Sequence, residues 1–392
     1  MQVFHTESKI VITCNKRLSA YLQQEVEELG FTPTRVFQTG VELQGTVNDT
    51  IALNLNLRCG SQVLYLIKSF HAATPKELYD QLVEIEWENL IDFTGYFSVT
   101  SNVNNEHILT PLFANVKVKD AVADRIKARK GLRPNSGPEL NKAVLHLYWQ
   151  DDKADIFIDT SGETLAKHSY RKIPGKAPML EALATSTIMA TNWDRSSTFV
   201  NPMCGSGTLA IEAALLATDK RPGLFRMNYA FMHIMGYDET VFFTERRKLK
   251  DRAKKETGFK IIATDISDDA IDIAKKNANT AGVEHLIDFA VCDFADTEIP
   301  GHPGVVMFNP EYGERLGVHT KLEITYKRVG DFLKQQCKGY RGYVFTGNPD
   351  LAKKIGLRPA RRIEFYNGKL DCRLFEYELY DGSKREPKTE QE

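Results

Sequence analysis

Several features that would place this chain in a common protein class are missing from its sequence. The cysteines form no Cys-x-x-Cys pair, and none of them lies in a closely spaced set of cysteine and histidine. The six cysteines are Cys14, Cys59, Cys204, Cys292, Cys337 and Cys372. Neither a zinc site nor a disulfide framework is therefore indicated, and we expect no metal.

Long apolar segments are missing as well. No run of about 18 apolar residues, the length that a membrane-spanning helix needs, occurs in the chain. The first residues, Met1 to Glu7, lack a basic region followed by a long apolar stretch, so we expect no secretory signal. These observations predict a cytoplasmic protein, and a length of 392 residues suggests about two to three domains.

A glycine loop follows a short apolar strand in the second half of the chain. The predicted strand Thr198 to Val200 leads into the loop, and a strongly helical segment, Thr208 to Leu216, comes after it. The loop residues assigned to a cofactor are Asn201, Pro202, Cys204, Gly205 and Gly207. Because glycine lacks a Cβ atom, the loop can turn sharply and its backbone can approach a ligand closely. The three-glycine dinucleotide fingerprint is absent, and no lysine follows as in a phosphate-binding nucleotide loop.

Two acidic residues end the next two predicted strands. One strand ends on Asp265, with Ile266 next to it, and the following strand leads to Asp293 and Phe294. In an open α/β sheet, the first carboxylate is placed to hold both ribose hydroxyls of an adenosyl ligand. The second can take the adenine amino group while the Phe294 ring packs on the base. Each acid alone is more typical of a helix cap or a surface loop than of a ligand contact, so the assignment depends on their order after the glycine loop.

A polar tetrapeptide, Asn309-Pro310-Glu311-Tyr312, closes a fourth apolar strand, Val305 to Phe308. It resembles the Asn/Asp-Pro-Pro-Tyr/Phe motif of amino-methyltransferases and departs from it at Glu311. We assign Asn309, Pro310 and Tyr312 to catalysis, and Asn309 also to the cofactor site. With right-handed crossovers, the glycine loop, both acids and the tetrapeptide are predicted to share one edge of a parallel sheet.

Cys204 raises the alternative of a covalent mechanism, in which a thiolate attacks a pyrimidine ring. Such a nucleophile is expected beside the target base, in a Pro-Cys motif. Here Pro310 is followed by Glu311, so we interpret Cys204 as a small loop residue beside the cofactor.

The likeness to known proteins extends beyond these motifs. Segments 159–165, 168–171, 177–184, 201–217, 313–317 and 367–372 resemble the ribosomal RNA large subunit methyltransferase L family. The resemblance implies an α+β ferredoxin-like segment and a THUMP RNA-binding domain, followed by a class I Rossmann-like α/β methyltransferase domain. It further implies S-adenosyl-L-methionine as cofactor and N2 of a guanine in large-subunit ribosomal RNA as methyl acceptor. We expect the form with a single catalytic domain.

The domain boundaries are predicted from this resemblance and from the strand and helix patterns. They are 1–60 for the ferredoxin-like segment, 61–163 for the THUMP domain, 164–380 for the methyltransferase domain and 381–392 for a disordered tail. The segment from Asp219 to Phe259 is longer than a connection between two strands needs. We expect it either to cover the substrate pocket or to pack as an extra helix on the edge of the catalytic sheet.

Positive charge is concentrated in one segment, although the net charge is −1. Its basic residues, which outnumber Asp120 and Asp124, are Lys117, Lys119, Arg125, Lys127, Arg129, Lys130 and Arg133. The part from Asp120 to Lys130 is predicted to be a helix whose basic side chains are either merely solvated or bound to RNA phosphates. The resemblance places this helix in the THUMP domain and favours RNA. Arg171, in the linker before the catalytic domain, is assigned to the same role.

The expected chemistry is direct methyl transfer to the amino group of guanine, without a metal. The side-chain oxygen of Asn309 and the carbonyl of Pro310 accept the two N2 protons and direct the nitrogen lone pair at the methyl group. Tyr312 stacks on a base flipped from its RNA context. Glu311 either accepts a hydrogen bond from guanine N1–H or points to solvent or to Arg315.

Two other functions stay open at this point. The first is a transfer RNA guanine-N2 methyltransferase, because the same catalytic motif and a THUMP domain serve such enzymes. The second is an RNA-binding or assembly factor with impaired catalysis. The modified nucleotide and the oligomeric state are not indicated by the sequence.

Overall fold

The structure, a computed structural model, describes residues 3–108, 110–173, 178–301, 303–313 and 319–380. These residues form two compact units. Unit 1 comprises the described part of Met1–His168 together with Arg221–Arg252, and unit 2 comprises that of Ser169–Lys220 and Ala253–Glu392. The predicted tail 381–392 and Arg315 lie outside the described residues.

The strands and helices are numbered along the described chain. The strands are β1 (Ser8–Thr13), β2 (Pro33–Phe37), β3 (Gly40–Gly45), β4 (Gln62–His71), β5 (Tyr96–Asn104), β6 (Asn135–Ser136), β7 (Ala143–Gln150), β8 (Lys153–Asp159), β9 (Thr198–Pro202), β10 (Ile261–Asp265), β11 (Ile287–Val291), β12 (Gly304–Phe308), β13 (Arg341–Thr346), β14 (Arg361–Asn367) and β15 (Leu370–Glu378). The α-helices are α1 (Ser19–Glu28), α2 (Val47–Asn56), α3 (Pro75–Val83), α4 (Pro111–Lys130), α5 (Glu181–Met189), α6 (Thr208–Ala217), α7 (Glu239–Arg252), α8 (Asp268–Ala281), α9 (His319–Gln336) and α10 (Pro349–Lys354).

One mixed sheet runs through unit 1, in the order β2-β3-β1-β4-β8-β7-β5-β6. Strand β4 pairs antiparallel with β1 on one side and with β8 on the other. It therefore connects strands β1–β3 with strands β5–β8 in a single sheet. Helix α2 begins at a capping box: the Thr46 hydroxyl accepts a hydrogen bond from Asp49 N–H, and the Asp49 carboxylate accepts one from Thr46 N–H. This reciprocal pair satisfies backbone donors that a helix N-terminus otherwise leaves free.

The long segment between α6 and β10 belongs largely to unit 1. Helix α7 packs against α2, and the chain at Gly223 lies so close to α2 that an added Cβ would be 2.5 Å from the Leu55 carbonyl oxygen. Arg226 donates hydrogen bonds to the carbonyl oxygens of Ser161 (2.6 Å) and Glu163 (2.8 Å). The predicted extra helix on the edge of the catalytic sheet is therefore wrong, because these contacts hold the segment in unit 1. A cover over the substrate pocket stays a prediction.

Unit 2 contains a doubly wound sheet in the order β11-β10-β9-β12-β13-β15-β14. The strands from β9 to β13 are parallel, and β15 lies antiparallel between β13 and β14. The first strand of this sheet along the chain, β9, lies in the middle. The chain then proceeds outward through β10 to β11 and returns to β12 on the other side of β9. In such sheets the crevice for a ligand lies at the carboxyl ends of the strands, where the strand order reverses. Here that position is between β9 and β12.

The core of unit 2 fixes β12 below this crevice. Phe308, the last residue of β12, packs edge-to-face against Phe294 and Phe332 with ring centroids 5.9 Å from each. Phe332 lies on α9, so the helix and the strand are held together by a buried aromatic group. Within the described ranges, no helix is both long enough and apolar enough to cross a membrane.

Candidate active site

The glycine loop leaves β9 at the point where the strand order reverses. Asn201, at the end of β9, donates a hydrogen bond from Nδ2 to the Met307 carbonyl oxygen of β12 at 2.8 Å. Gly207 has φ of +81°, and a Cβ added to it would lie 2.9 Å from Cβ of Ala274, so glycine is required for the approach of α8. Gly205 has φ of +54°, but an added Cβ would meet no atom within 4 Å in the described chain. The backbone at Gly205 thus borders open space that a ligand can enter.

Asp265 ends β10 and is tied to this loop. Its Oδ2 accepts a hydrogen bond from Gly205 N–H at 2.9 Å, and its Oδ1 accepts one from Ser267 N–H at 3.0 Å. Since each carboxylate oxygen has two acceptor positions, both oxygens can still accept a hydroxyl group. The next residue, Ile266, is 73% exposed, which is unusual for a large aliphatic side chain. The structure therefore brings Gly205, Asp265 and Ile266 together at one sheet edge.

Asp293 follows β11 and is held by two donors. Its Oδ1 accepts hydrogen bonds from Ala295 N–H at 3.0 Å and from the Arg328 guanidinium at 2.8 Å. Partial burial raises the pKa of this carboxyl, but the two hydrogen bonds outweigh burial and leave the pKa below its ordinary value. The carboxylate is thus ionised and oriented at neutral pH.

Phe294 is placed differently from the prediction. Its ring is only 6% exposed, packs against Phe308 and Phe332, and has the guanidinium of Arg328 above it at 4.9 Å from the ring centroid. The core fills most of the surroundings of the ring, so little of its surface is accessible. The packing of the Phe294 ring on adenine stays a prediction.

The tetrapeptide lies immediately beyond β12. The Asn309 side-chain oxygen is buried and has no hydrogen-bond partner in the part of the chain that the structure describes. Pro310 is buried, whereas Glu311 is exposed. A buried oxygen without a donor costs about 1–3 kcal/mol, so this acceptor is suited to a donor supplied by a ligand. Asn201 Oδ1, on the neighbouring strand β9, is also buried and has no hydrogen-bond partner among the described residues.

Tyr312 is anchored to β14, the edge strand of the sheet. Its hydroxyl accepts a hydrogen bond from Asn367 Nδ2, at the end of β14, with a distance of 3.0 Å. Burial raises the pKa of the Tyr312 phenol, although the hydrogen bond from Asn367 acts in the opposite direction. The ring is half-buried and keeps part of its surface accessible.

A buried charged group beneath the glycine loop was not predicted as a unit. Arg171 donates to the Met179 carbonyl oxygen (2.6 Å) and the Thr208 hydroxyl (3.0 Å), and it forms an ion pair with Glu181 (3.4 Å). The Arg171 side chain is only 12% exposed, and its contact with RNA stays a prediction. The neighbouring Glu212 is fully buried and accepts a hydrogen bond from Thr185. The signal in the sequence was a single carboxylate in the otherwise apolar helix α6.

The basic helix α4 begins earlier than predicted, at Pro111 instead of Asp120. Arg125 forms two hydrogen bonds of 3.1 Å with Glu88 and is 13% exposed, and its contact with RNA stays a prediction. Arg133 forms ion pairs with Asp120 and Asp124. Three basic side chains at the end of the helix are exposed: Lys127, Arg129 and Lys130.

The two lysines at the start of the predicted basic segment have partners within unit 1. Lys117 lies over the Phe113 ring, 5.5 Å from its centroid, and Lys119 donates to the Gly137 carbonyl oxygen at 3.4 Å. Both are half-buried. The exposed positive charge of α4 is therefore concentrated at its C-terminal end, which Gly131 closes with φ of +77°.

Burial, together with the negative charge of Asp265, raises the pKa of the Cys204 thiol well above its ordinary value. A thiol in that state is a poor nucleophile at neutral pH, which agrees with its interpretation as a loop residue. Among the described residues, no group of three histidine, cysteine or acidic side chains is arranged to hold a metal ion.

Comparison with protein-family models gives a clear match for unit 2. The model of the RMKL-like methyltransferase domain matches residues 168–376, which is more than half of the 392 residues. The chain belongs to the RMKL-like methyltransferase family. A model of the RlmL ferredoxin-like domain matches residues 9–64, and a THUMP model matches residues 72–159. The predicted family resemblance and the predicted fold class are thereby confirmed.

A curated relative of this RMKL-like methyltransferase is also named as a methyltransferase. A protein of Methylococcus capsulatus named ribosomal RNA large subunit methyltransferase K/L is 34% identical over 375 residues, which cover 94% of this chain and 50% of that protein. The chain thus spans about half the length of the curated relatives that it matches.

Two solved structures are similar over nearly their whole length. SMU.472, described as a methyltransferase complexed with SAH, is 26% identical with a TM-score of 0.86, and the match covers 96% of this chain and 99% of that one. A Listeria monocytogenes protein described as a predicted N6-adenine-specific DNA methylase is 28% identical with a TM-score of 0.86, covering 95% and 97% of the two chains.

Proposed function

We propose that this chain is an S-adenosylmethionine-dependent RNA methyltransferase that acts in the cytoplasm on N2 of a guanine in large-subunit ribosomal RNA. The observation that carries the proposal is the buried, unpartnered side-chain oxygen of Asn309 at the reversal of strand order, within the described residues. An amino group of a base is the kind of donor that this oxygen lacks.

The residues around the glycine loop fit the methyl donor. Asn201 and Pro202 end β9, and Cys204, Gly205 and Gly207 lie in the loop that follows, where the open space at Gly205 lets the backbone approach the ligand. When bound, S-adenosylmethionine supplies a methyl group on a sulfonium centre, which a neutral nitrogen can attack. The SAH complex of the similar protein SMU.472 supports the same ligand class here.

Asp265 and Asp293 are assigned to different parts of the adenosyl group. Asp265 keeps acceptor positions free on both oxygens for the ribose hydroxyls, and Ile266 presents an exposed apolar side chain beside it. Asp293, oriented by Ala295 and Arg328, is available to the adenine amino group through its second oxygen. Phe294 contributes by holding this turn in the core.

The tetrapeptide prepares the target nitrogen. Asn309 Oδ1 and the Pro310 carbonyl oxygen accept hydrogen bonds from the two N2 hydrogens. These hydrogen bonds turn the nitrogen lone pair out of conjugation with the ring and toward the methyl group. The ring of Tyr312, fixed through its hydroxyl, stacks on the flipped base. These residues position and polarise the substrate, and no general base has to be invoked before transfer.

Glu311 favours guanine over adenine in this site. It is exposed, and it forms no hydrogen bond or ion pair with the residues that the structure describes. Guanine N1 carries a proton that a carboxylate can accept, whereas adenine N1 is itself an acceptor and would be repelled. This distinction matters because the similar Listeria protein is described as a predicted N6-adenine-specific DNA methylase.

The RNA substrate is supported by unit 1. Its THUMP match includes α4, where Lys127, Arg129 and Lys130 are exposed, with Arg133 next to them. We assign these four side chains, with a smaller share for the half-buried Lys117 and Lys119, to contacts with the phosphate backbone, which position the RNA without reading its sequence. The K/L relatives are named for large-subunit ribosomal RNA, which supports that RNA as the substrate.

A methyl-transfer assay with three nucleic acids tests the proposal. The purified chain is incubated with radiolabelled S-adenosylmethionine and protein-free large-subunit ribosomal RNA, transfer RNA or duplex DNA, and the products are digested to nucleosides. We expect N2-methylguanosine in ribosomal RNA, and its loss with Asn309→Ala. N2-methylguanosine in transfer RNA alone would favour the transfer RNA enzyme, and N6-methyladenine in DNA would overturn the guanine assignment.

Calorimetry, together with the transfer assay, distinguishes an active methyltransferase from an assembly factor with impaired catalysis. Binding of S-adenosylmethionine without methyl transfer to any of the three nucleic acids supports the assembly factor and contradicts the proposed enzymatic function. Transfer with normal turnover excludes it.

A further inference from the structure

Asn367 lies at the end of β14 and contacts the residue assigned to stack on the target base. Its side-chain Nδ2 donates a hydrogen bond to the Tyr312 hydroxyl at 3.0 Å, and the two residues are 55 positions apart in the chain. We propose that Asn367 is a positioning residue that fixes the Tyr312 ring for the target base. This inference rests on the proposed function, because it assigns a role within the same catalytic site.

The hairpin that carries Asn367 is rigidly built. Asn367 pairs with Leu370 across a two-residue connection, and Gly368 has φ of +62°, which suits the tight turns that join antiparallel strands. Strand β15 pairs with β14 from Leu370 to Glu376 and with β13 from Arg373 to Glu378. Leu370 packs onto the chain after β13, since a Cβ at Gly347 would lie 2.6 Å from its Cδ2. The Asn367 amide is therefore presented from a fixed support.

Tyr312 depends on such a support more than the other catalytic residues do. It belongs to no strand or helix of the described chain, whereas Asn309 follows directly on β12. A half-buried tyrosine outside regular structure has rotational freedom unless its hydroxyl is held. The hydrogen bond from Asn367, beside the interaction of the same hydroxyl with Cys372, restricts the orientation of the ring, and the ordered ring then orders the base that stacks on it.

The direction of the hydrogen bond gives a way to separate positioning from chemistry. Because the amide donates and the hydroxyl accepts, the contact needs a donor or a matching acceptor at position 367 and an oxygen at position 312. Asn367→Leu keeps a similar shape but has no polar atom, and Tyr312→Phe keeps the ring but has no oxygen. Asn367→Asp restores a hydrogen bond in which the hydroxyl donates to the carboxylate.

A double-mutant cycle tests the inference. The parent, Asn367→Leu, Tyr312→Phe and the double variant are compared for kcat and KM on protein-free large-subunit ribosomal RNA and for S-adenosylmethionine affinity by calorimetry. We expect Asn367→Leu to lower kcat about tenfold in the parent and less than about twofold in the Tyr312→Phe background. S-adenosylmethionine affinity stays within about twofold, and Asn367→Asp recovers most of the lost kcat.

Two controls make the result decisive. Lys369→Leu, in the same turn, should leave kcat unchanged, and thermal unfolding should show that Asn367→Leu keeps the parent fold. Equal losses of kcat from Asn367→Leu in both backgrounds would overturn the positioning role while the proposed function stands. An inactive parent on every nucleic acid would overturn the proposed function instead.

Discussion

The backbone N–H of Gly205 donates a hydrogen bond to the Asp265 carboxylate across 2.9 Å, so the glycine loop and the end of the neighbouring strand are one structural unit. The same carboxylate accepts from Ser267 at the start of α8. Asp265 therefore shapes the cofactor site before any ligand is bound, and it retains acceptor positions for the ligand.

Replacing Asp265 should weaken S-adenosylmethionine binding in a graded way. Asp265→Ala removes the acceptor for the loop and for the ribose, and hydrogen bonds to a charged group contribute about 1.5–3 kcal/mol, so we expect a loss of affinity of roughly 10- to 100-fold. Asp265→Asn keeps one oxygen and should lose less. Calorimetric titration checks both, and equal affinity of Asp265→Ala and the parent would contradict the assignment.

Asn309 should affect turnover more than it affects binding of the methyl donor. Asn309→Ala removes an acceptor that is used fully only in the transition state, so we expect kcat to fall about 100- to 1000-fold. The affinity for S-adenosylmethionine should change much less. The rate of N2-methylguanosine formation and a parallel calorimetric titration measure the two quantities, and a tenfold or larger loss of donor affinity with unchanged kcat would reverse the assigned role.

The end of α4 should contribute to RNA affinity through charge. The double variant Lys127→Glu with Lys130→Glu should weaken RNA binding at least about tenfold at moderate salt and flatten the salt dependence of binding. The matched control is Arg247→Glu with Lys250→Glu, which makes the same charge change at exposed positions of α7 in the same unit. Filter binding at several salt concentrations gives the comparison. Equal effects of the two double variants would show that only net charge matters.

His146 should make the stability of unit 1 depend on pH. Burial lowers the pKa of this histidine to about 4, and its Nδ1 lies 2.8 Å from the Thr100 hydroxyl. The unfolded chain takes up the proton near pH 6.5 and the folded chain does not, so the free energy of unfolding falls as the pH drops from about 6.5 to 4.

Urea unfolding at pH 7 and pH 5 measures this effect. We expect the parent to lose about 2 kcal/mol more than His146→Gln between the two pH values, because the glutamine cannot take up a proton. The same loss in both proteins would exclude His146 as the cause.

The local features of the site were predictable from the sequence because they depend on short segments. The apolar runs before Asn201, Asp265 and Asn309 form parallel strands, and their order along the chain determines that they end at one edge of the sheet. The glycines of the loop indicated a sharp turn, which the positive φ values of Gly205 and Gly207 show.

The features that were not predicted depend on partners far away in the sequence. Arg125 is neutralised by Glu88, 37 positions before it, and no local pattern in α4 distinguishes it from Lys127. Phe294 was expected at the ligand, but it completes an aromatic group with residues of β12 and α9. The placement of α7 in unit 1 likewise follows from contacts with α2, which periodicity along the chain does not report.

Mapping of N2-methylguanosine in cellular ribosomal RNA tests the central claim most directly. Large-subunit ribosomal RNA is isolated from cells that contain the parent protein, the Asn309→Ala variant or neither, and is digested and analysed by mass spectrometry. The proposed function predicts one N2-methylguanosine that is present with the parent and absent in the other two. An unchanged set of N2-methylguanosines in all three samples would contradict it.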